Sequence, residues 1–140
     1  MKSIKLFLVL TVLAFAGSCG DDDDTNNNGT INGPWNLVKA FAPQSGISED
    51  IAKGDVTWKI STSAGTVVTT DKRMHPDTPE PNGMYSYPNG THTYEVKPWG
   101  GSCEESFYTE DSNFGCIEHN GNTLILTTES ADGLRYTFIR

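Results

Sequence analysis

The sequence predicts an all-β fold, a small up-and-down antiparallel β-barrel of about eight strands over residues 31–140, preceded by a leader and a disordered tether. Three observations predict it. Apolar side chains recur at alternate positions in short runs, clusters of Gly, Asn and Pro separate these runs, and no segment keeps a helical period for more than about a turn. Residues 31–140 are enough for one small domain and too few for two. Short strands with local connections close into a barrel, which removes sheet edges, or stack as an open sandwich.

The first strand opens at Ile31-Asn32-Gly33-Pro34-Trp35-Asn36-Leu37-Val38-Lys39. Trp35, Leu37 and Phe41 share one face, and Asn36, Val38 and Ala40 the other. Residues 46–51 suggest one helical turn, with Ile47 and Ile51 on one side. Val56, Trp58 and Ile60 then alternate with Thr57, Lys59 and Ser61, and Ser63-Ala64-Gly65 turns the chain into the β-branched run 66–70. Residues 71–90 read as a long loop, because Pro76, Pro79, Pro81 and Pro88 break any ladder that Met84-Tyr85-Ser86-Tyr87 starts. Loops of this length are functional or disordered. Residues 91–97 form a strand with Tyr94 and Val96 inward, and residues 98–101 turn it. Segments 104–109 and 114–119 make a hairpin. Asn120-Gly121 is a type I′ signal leading into 123–128, and Ala131-Asp132-Gly133 leads into 134–140.

Ahead of the barrel, Lys2 and Lys5 precede an apolar run from Leu6 to Phe15 and then Ala16-Gly17-Ser18-Cys19. This reads as a secretory signal peptide over residues 1–18, too short to span a bilayer. Small residues before a cysteine resemble the bacterial lipobox, with Ala16 where that pattern most often has Leu. The resemblance implies cleavage ahead of Cys19, which then carries acyl lipid and anchors the protein to the membrane. The alternative is ordinary cleavage near Ala16, leaving Cys19 an incidental thiol. Residues 19–30 contain Asp21, Asp22, Asp23 and Asp24, then a Thr-, Asn- and Gly-rich stretch with nothing to bury, so they read as a flexible tether. The aspartates resemble the export tag of lipoproteins carried to the outer face of the bacterial outer membrane. Otherwise they are a solvated spacer.

Loss of residues 1–18 removes Lys2 and Lys5, leaving 10 − 2 = 8 Lys and Arg against 18 Asp and Glu, a formal charge of −10. Nucleic acid and anionic membrane surfaces are poor partners for such a domain.

Gly33-Pro34-Trp35 resembles the G-x-W that opens the first strand of lipocalins. In a closed antiparallel barrel of eight strands the first and last strands are neighbours running oppositely, so Trp35 lies beside Arg140. Alternation puts Arg140 on the face of Leu134, Tyr136 and Phe138, where its guanidinium can cover the indole. This is similar to the lipocalin signature of a tryptophan covered by an arginine near the end of the last strand. The resemblance implies a calycin-type barrel whose mouth holds a small apolar or amphipathic ligand, with Trp58, Tyr94 and Tyr136 as inward groups beside it. The alternative makes Trp35 plain core and Arg140 a frayed end.

With Cys19 spent on lipid, Cys103 and Cys116 flank one predicted hairpin in an oxidising compartment, which favours a disulfide over two thiols or a metal site. His75, His92 and His119 are separated and read as solvated. No metal ligand set, cofactor motif or nucleophile setting is recognisable, and the adjacent Glu104 and Glu105 point to opposite faces of a strand. Glu95 and Glu118 would have to converge across a cavity to act as acid and base. The expectation is therefore a noncatalytic protein without cofactor. It either binds a small hydrophobic ligand in the barrel mouth or acts as a surface module, with Tyr85, Tyr87 and Trp99 stacking on a glycan or partner protein. Those three aromatics can alternatively plug the barrel.

Overall fold

Alternation of apolar with polar side chains produces nine strands in the computed structural model, which describes residues 30–73, 83–99, 101, 103–128 and 133–140. They are β1 (Gly33–Ala42), β2 (Ile47–Asp50), β3 (Val56–Ser61), β4 (Thr66–Asp71), β5 (Gly90–Pro98), β6 (Glu105–Thr109), β7 (Asn113–Asn120), β8 (Thr123–Thr127) and β9 (Arg135–Ile139). All except β2 form a closed antiparallel barrel in sequence order, completed by pairing of β9 with β1. Asn36 opposes Ile139 and Leu37 opposes Phe138 across that seam, so the fold is a closed barrel and not an open sandwich. Cys19, Asp21, Asp22, Asp23, Asp24, the leader and His75 lie outside the described residues.

Three local departures from the sequence reading have physical causes. The helical turn expected over residues 46–51 is instead the strand β2, which pairs with the second half of β1 from Lys39↔Asp50 to Ala42↔Ile47. β1 outruns β3, which pairs only with residues 33–36, and β2 satisfies the exposed edge. The β1 ladder also shifts register between Leu37 and Lys39. This bulge sends Ala40 inward, fully buried, and puts the half-buried Phe41 on the outer face, reversing the alternation read from sequence. Finally, Asn120 pairs with Thr123, so the β7–β8 loop is Gly121-Asn122, one residue later than expected. Either register keeps Ile117, Leu124 and Leu126 on one face, so the apolar pattern does not choose between them.

Inside, the barrel is filled by aromatic rings. Trp58 is fully buried and meets Tyr85, Tyr87, Phe107, Phe114 and Phe138 at centroid distances between 4.9 and 6.5 Å. Burial of one such side chain stabilises by roughly 4–6 kcal/mol on area alone. A bulge between Phe107 and Tyr108 fits this packing and needs Gly115, whose φ is 76°. A Cβ there would lie 2.1 Å from the carbonyl oxygen of Thr127.

Candidate functional site

Strand order brings the start of β1 and the end of β9 together at one end of the barrel, here called the lower end. The guanidinium carbon of Arg140 stands 4.2 Å from the Trp35 ring centroid. Arg140 Nη2 donates to the carbonyls of Thr30 (2.7 Å) and Asn32 (3.0 Å), and Trp35 Nε1 donates to that of Ile31 (2.8 Å). His119 meets the indole edge-on at 5.5 Å. Burial lowers the Arg140 pKa from its ordinary value, and the cation faces the ring instead of water. Gly33 opens β1 with φ of 111°, which side-chain-bearing residues rarely adopt, so the glycine of Gly33-Pro34-Trp35 has a backbone role.

Beside this cap the wall is uneven. Thr93 of β5 pairs with Thr66, where β4 begins, while residues 94–98 run on and pair with β6. The inward side chains Tyr94 and Val96 therefore project past the shorter strand and stay half-buried. With Ile31 and Ile117 they line an open hollow of about 510 Å³, whose rim carries Glu95 and Glu105. The hollow lies at the same end as the Trp35–Arg140 cap.

Trp58 and Tyr136 do not line it. Both sit in the packed core, so of the three inward aromatics expected at a ligand only Tyr94 reaches the hollow. At the upper end, rings occupy the interior beside Trp58. Tyr85 and Tyr87 enter from that connection and are buried. Trp58 Nε1 donates to Tyr85 Oη at 2.6 Å, and Tyr87 Oη donates to Thr109 Oγ1 at 2.7 Å. Burial holds the Tyr85 hydroxyl far above the ordinary phenol range and pushes Tyr136 up to about 12. The described part of this connection is a plug.

Polar groups pin the plug. Arg73 Nη1 donates to Glu49 Oε1 at 2.6 Å and Nη2 to Asp71 Oδ2 at 2.8 Å, while Glu49 Oε2 accepts from the Met84 backbone at 2.6 Å. Burial opposes the Asp71 charge, but the Arg73 hydrogen bonds outweigh it and hold the carboxyl below its ordinary range. The same bonds raise Arg73. Glu49, Asp71 and Arg73 drew no attention in the sequence because Glu49 lies 24 positions from Arg73 and the three fit no motif.

The three aromatics assigned to a stacking surface separate. Tyr85 and Tyr87 are buried, while Trp99, half-buried, lies 6.1 Å from Tyr108 on the outer face of β6, where Lys97 also stands over the Tyr108 ring. Glu95 and Glu118 are exposed and do not converge. Cys103 and Cys116 form a disulfide, with Cα atoms 5.7 Å apart. Neither described histidine is the free surface group expected: His92 is buried and His119 packs on Trp35. Compared with known proteins, the chain matches no protein family, and no curated protein or solved structure matches it.

Proposed function

We propose that this chain is a bacterial surface lipoprotein, anchored to the outer membrane through Cys19, whose lipocalin-like barrel takes the apolar part of a small amphipathic molecule into its lower mouth. The observation that carries the binding reading is the group of inward apolar side chains left half-covered there. Ile31, Tyr94, Val96 and Ile117 pack against the core on one side and open onto the hollow on the other. Covering such surface is favourable at about 25 cal/mol per Å², and a ligand's alkyl or ring portion would do so. Glu95 at the rim is paired with Lys97, and the carboxylate of Glu105 there favours a neutral or cationic head group over an anionic one. The anchor reading rests on Ala16-Gly17-Ser18-Cys19 and the four aspartates after it.

The reading in which a glycan or partner protein docks on surface aromatics now rests on Trp99 and Tyr108, since Tyr85 and Tyr87 are spent on the core.

One titration series separates the two. Long-chain amines, lysophosphatidylcholine, fatty acids and sterols are added to the mature protein while tryptophan emission and Tm are followed. Ile117→Glu is expected to abolish the response and Tyr108→Ala to spare it, with amines and zwitterionic lipids binding more tightly than fatty acids. The reverse order of variants would favour the outer aromatic face. No response from any amphiphile would refute the mouth as a binding site. In cells, Cys19→Ala is expected to release the protein from the membrane fraction, and its retention there would refute the anchor.

A further inference from the structure

At the upper rim, away from the mouth, an imidazole meets two carboxylates. His92 is an inward residue of β5 with its side chain only 10% exposed. Its Nε2 lies 3.1 Å from the carbonyl oxygen of Pro88, an atom that can only accept, so Nε2 carries hydrogen in this arrangement. Nδ1 then points at Glu110 Oε1, 3.4 Å away. In the neutral ring that nitrogen is a lone pair, so two acceptors face each other with nothing between them to share. A divalent cation placed between them would turn this opposed pair into two ligands. Asp111 adds a second carboxylate: one ligand atom from each of His92, Glu110 and Asp111 lies within 4.8 Å of the others.

We propose that His92, Glu110 and Asp111 form a site for a first-row divalent transition metal of the Zn²⁺ type, with water completing its coordination. Two carboxylates and one neutral imidazole balance a divalent charge and offer the oxygen and nitrogen donors that such a metal takes. The nitrogen donor selects against Ca²⁺ and Mg²⁺, which take oxygen ligands. The groups behind the ligands fit as well. Metal-binding histidines normally give their other ring N–H to a carbonyl or carboxylate, as His92 does to Pro88. Glu110 is oriented in the same way, its Oε2 accepting from Thr93 Oγ1 at 2.8 Å. The exposed side chain of Asp111 can close the remaining distance to metal-bond length. The acidic surface of the domain concentrates cations around it.

The test uses the untagged mature chain, stripped of metal with a chelator and titrated with Zn²⁺ by calorimetry and thermal melting, with Ca²⁺ as control. One saturable Zn²⁺ site that raises Tm is expected, and Ca²⁺ should not reproduce the shift. Glu110→Gln and Asp111→Asn, both at exposed positions, should each weaken Zn²⁺ binding by about tenfold or more. The acidic run Asp21, Asp22, Asp23 and Asp24 remains in both variants, so loose binding there is unaffected. Absence of saturable Zn²⁺ binding, or binding unchanged by both substitutions, would overturn the site.

Discussion

Removal of the Cys103–Cys116 disulfide should weaken this barrel without dissolving it. The two cysteines are separated by 13 positions, so the bond closes a short loop. In the chain-entropy model a loop of that length stabilises by about 3 kcal/mol, through restriction of the unfolded chain. A domain of this size loses on the order of 0.23 kcal/mol per degree at its midpoint, so that energy corresponds to a fall in Tm of about 13 °C. The sheet should survive because its β6–β7 pairing does not depend on the sulfurs. Phe107 and Phe114 hold the hairpin to the core through contacts with Trp58. The cost includes some local packing, since Ser106 is fully buried and its Oγ lies 3.7 Å from Cys103 Sγ. The measurement is a thermal melt by circular dichroism of the Cys103→Ser/Cys116→Ser double variant beside the oxidised parent. A shift below about 2 °C would show that the unfolded chain is little constrained by the bond, contrary to the entropic account. Loss of the β spectrum at low temperature would show that the hairpin depends on it.

Two further outcomes follow from named contacts. Trp35→Ala should cost about 3–5 kcal/mol through the cavity left in the core and Arg140→Ala less, and a double-mutant cycle should return about 0.5–2 kcal/mol of coupling; zero coupling would refute the cation–π cap. Asp71 has a folded pKa below its unfolded value of 3.8, so its contribution is present above that value and is lost as pH falls through the folded pKa. Stability measured by denaturant between about pH 4 and pH 2 should therefore fall less steeply in Asp71→Asn than in the parent, and parallel curves would refute the Arg73–Asp71 pairing as the source.

The sequence reveals what depends on period and loses what depends on length. Alternation in Val56-Thr57-Trp58-Lys59-Ile60 fixes both strand and face, because that segment is paired without interruption along β4. The same reasoning fails at Phe41, because one bulged residue near Val38 inverts every later position on β1, and no single residue type announces it. It fails at Ile47 and Ile51 for a different reason: a four-residue spacing fits a helical turn as readily as a short strand and the corner after it, and only the unpaired edge of β1 decides. The cysteine pair was legible because the two residues flank one hairpin, and the Trp35–Arg140 proximity because it follows from topology once the barrel closes. The lower hollow was not. Tyr94 and Val96 read correctly as inward, but their partial exposure depends on β4 starting late relative to β5, a difference between strand lengths. His92 looked like a surface histidine since its partners come from the next hairpin turn.

The asymmetry between the two ends bears on how an anchored barrel would work. At the upper end, Tyr85 and Tyr87 occupy the space where barrel ligands commonly lie, and the Glu49–Arg73–Asp71 network fixes their segment. At the lower end the same architecture leaves Tyr94, Val96, Ile31 and Ile117 half-covered. That is also where the chain enters, since Thr30 and Ile31 precede β1 and line the hollow. With Cys19 as the proposed anchor, the chain between it and Thr30 spans at most about 40 Å when fully extended. On that proposal the mouth would lie within this reach of the lipid surface, and the upper rim, with His92, Glu110 and Asp111, would be the end farther from the anchor. An amphipathic molecule leaving the bilayer would meet the apolar hollow first and the acidic rim as its head group follows. On the proposed anchoring, the opening would stand beside the membrane-attached segment and the ring-filled end opposite it.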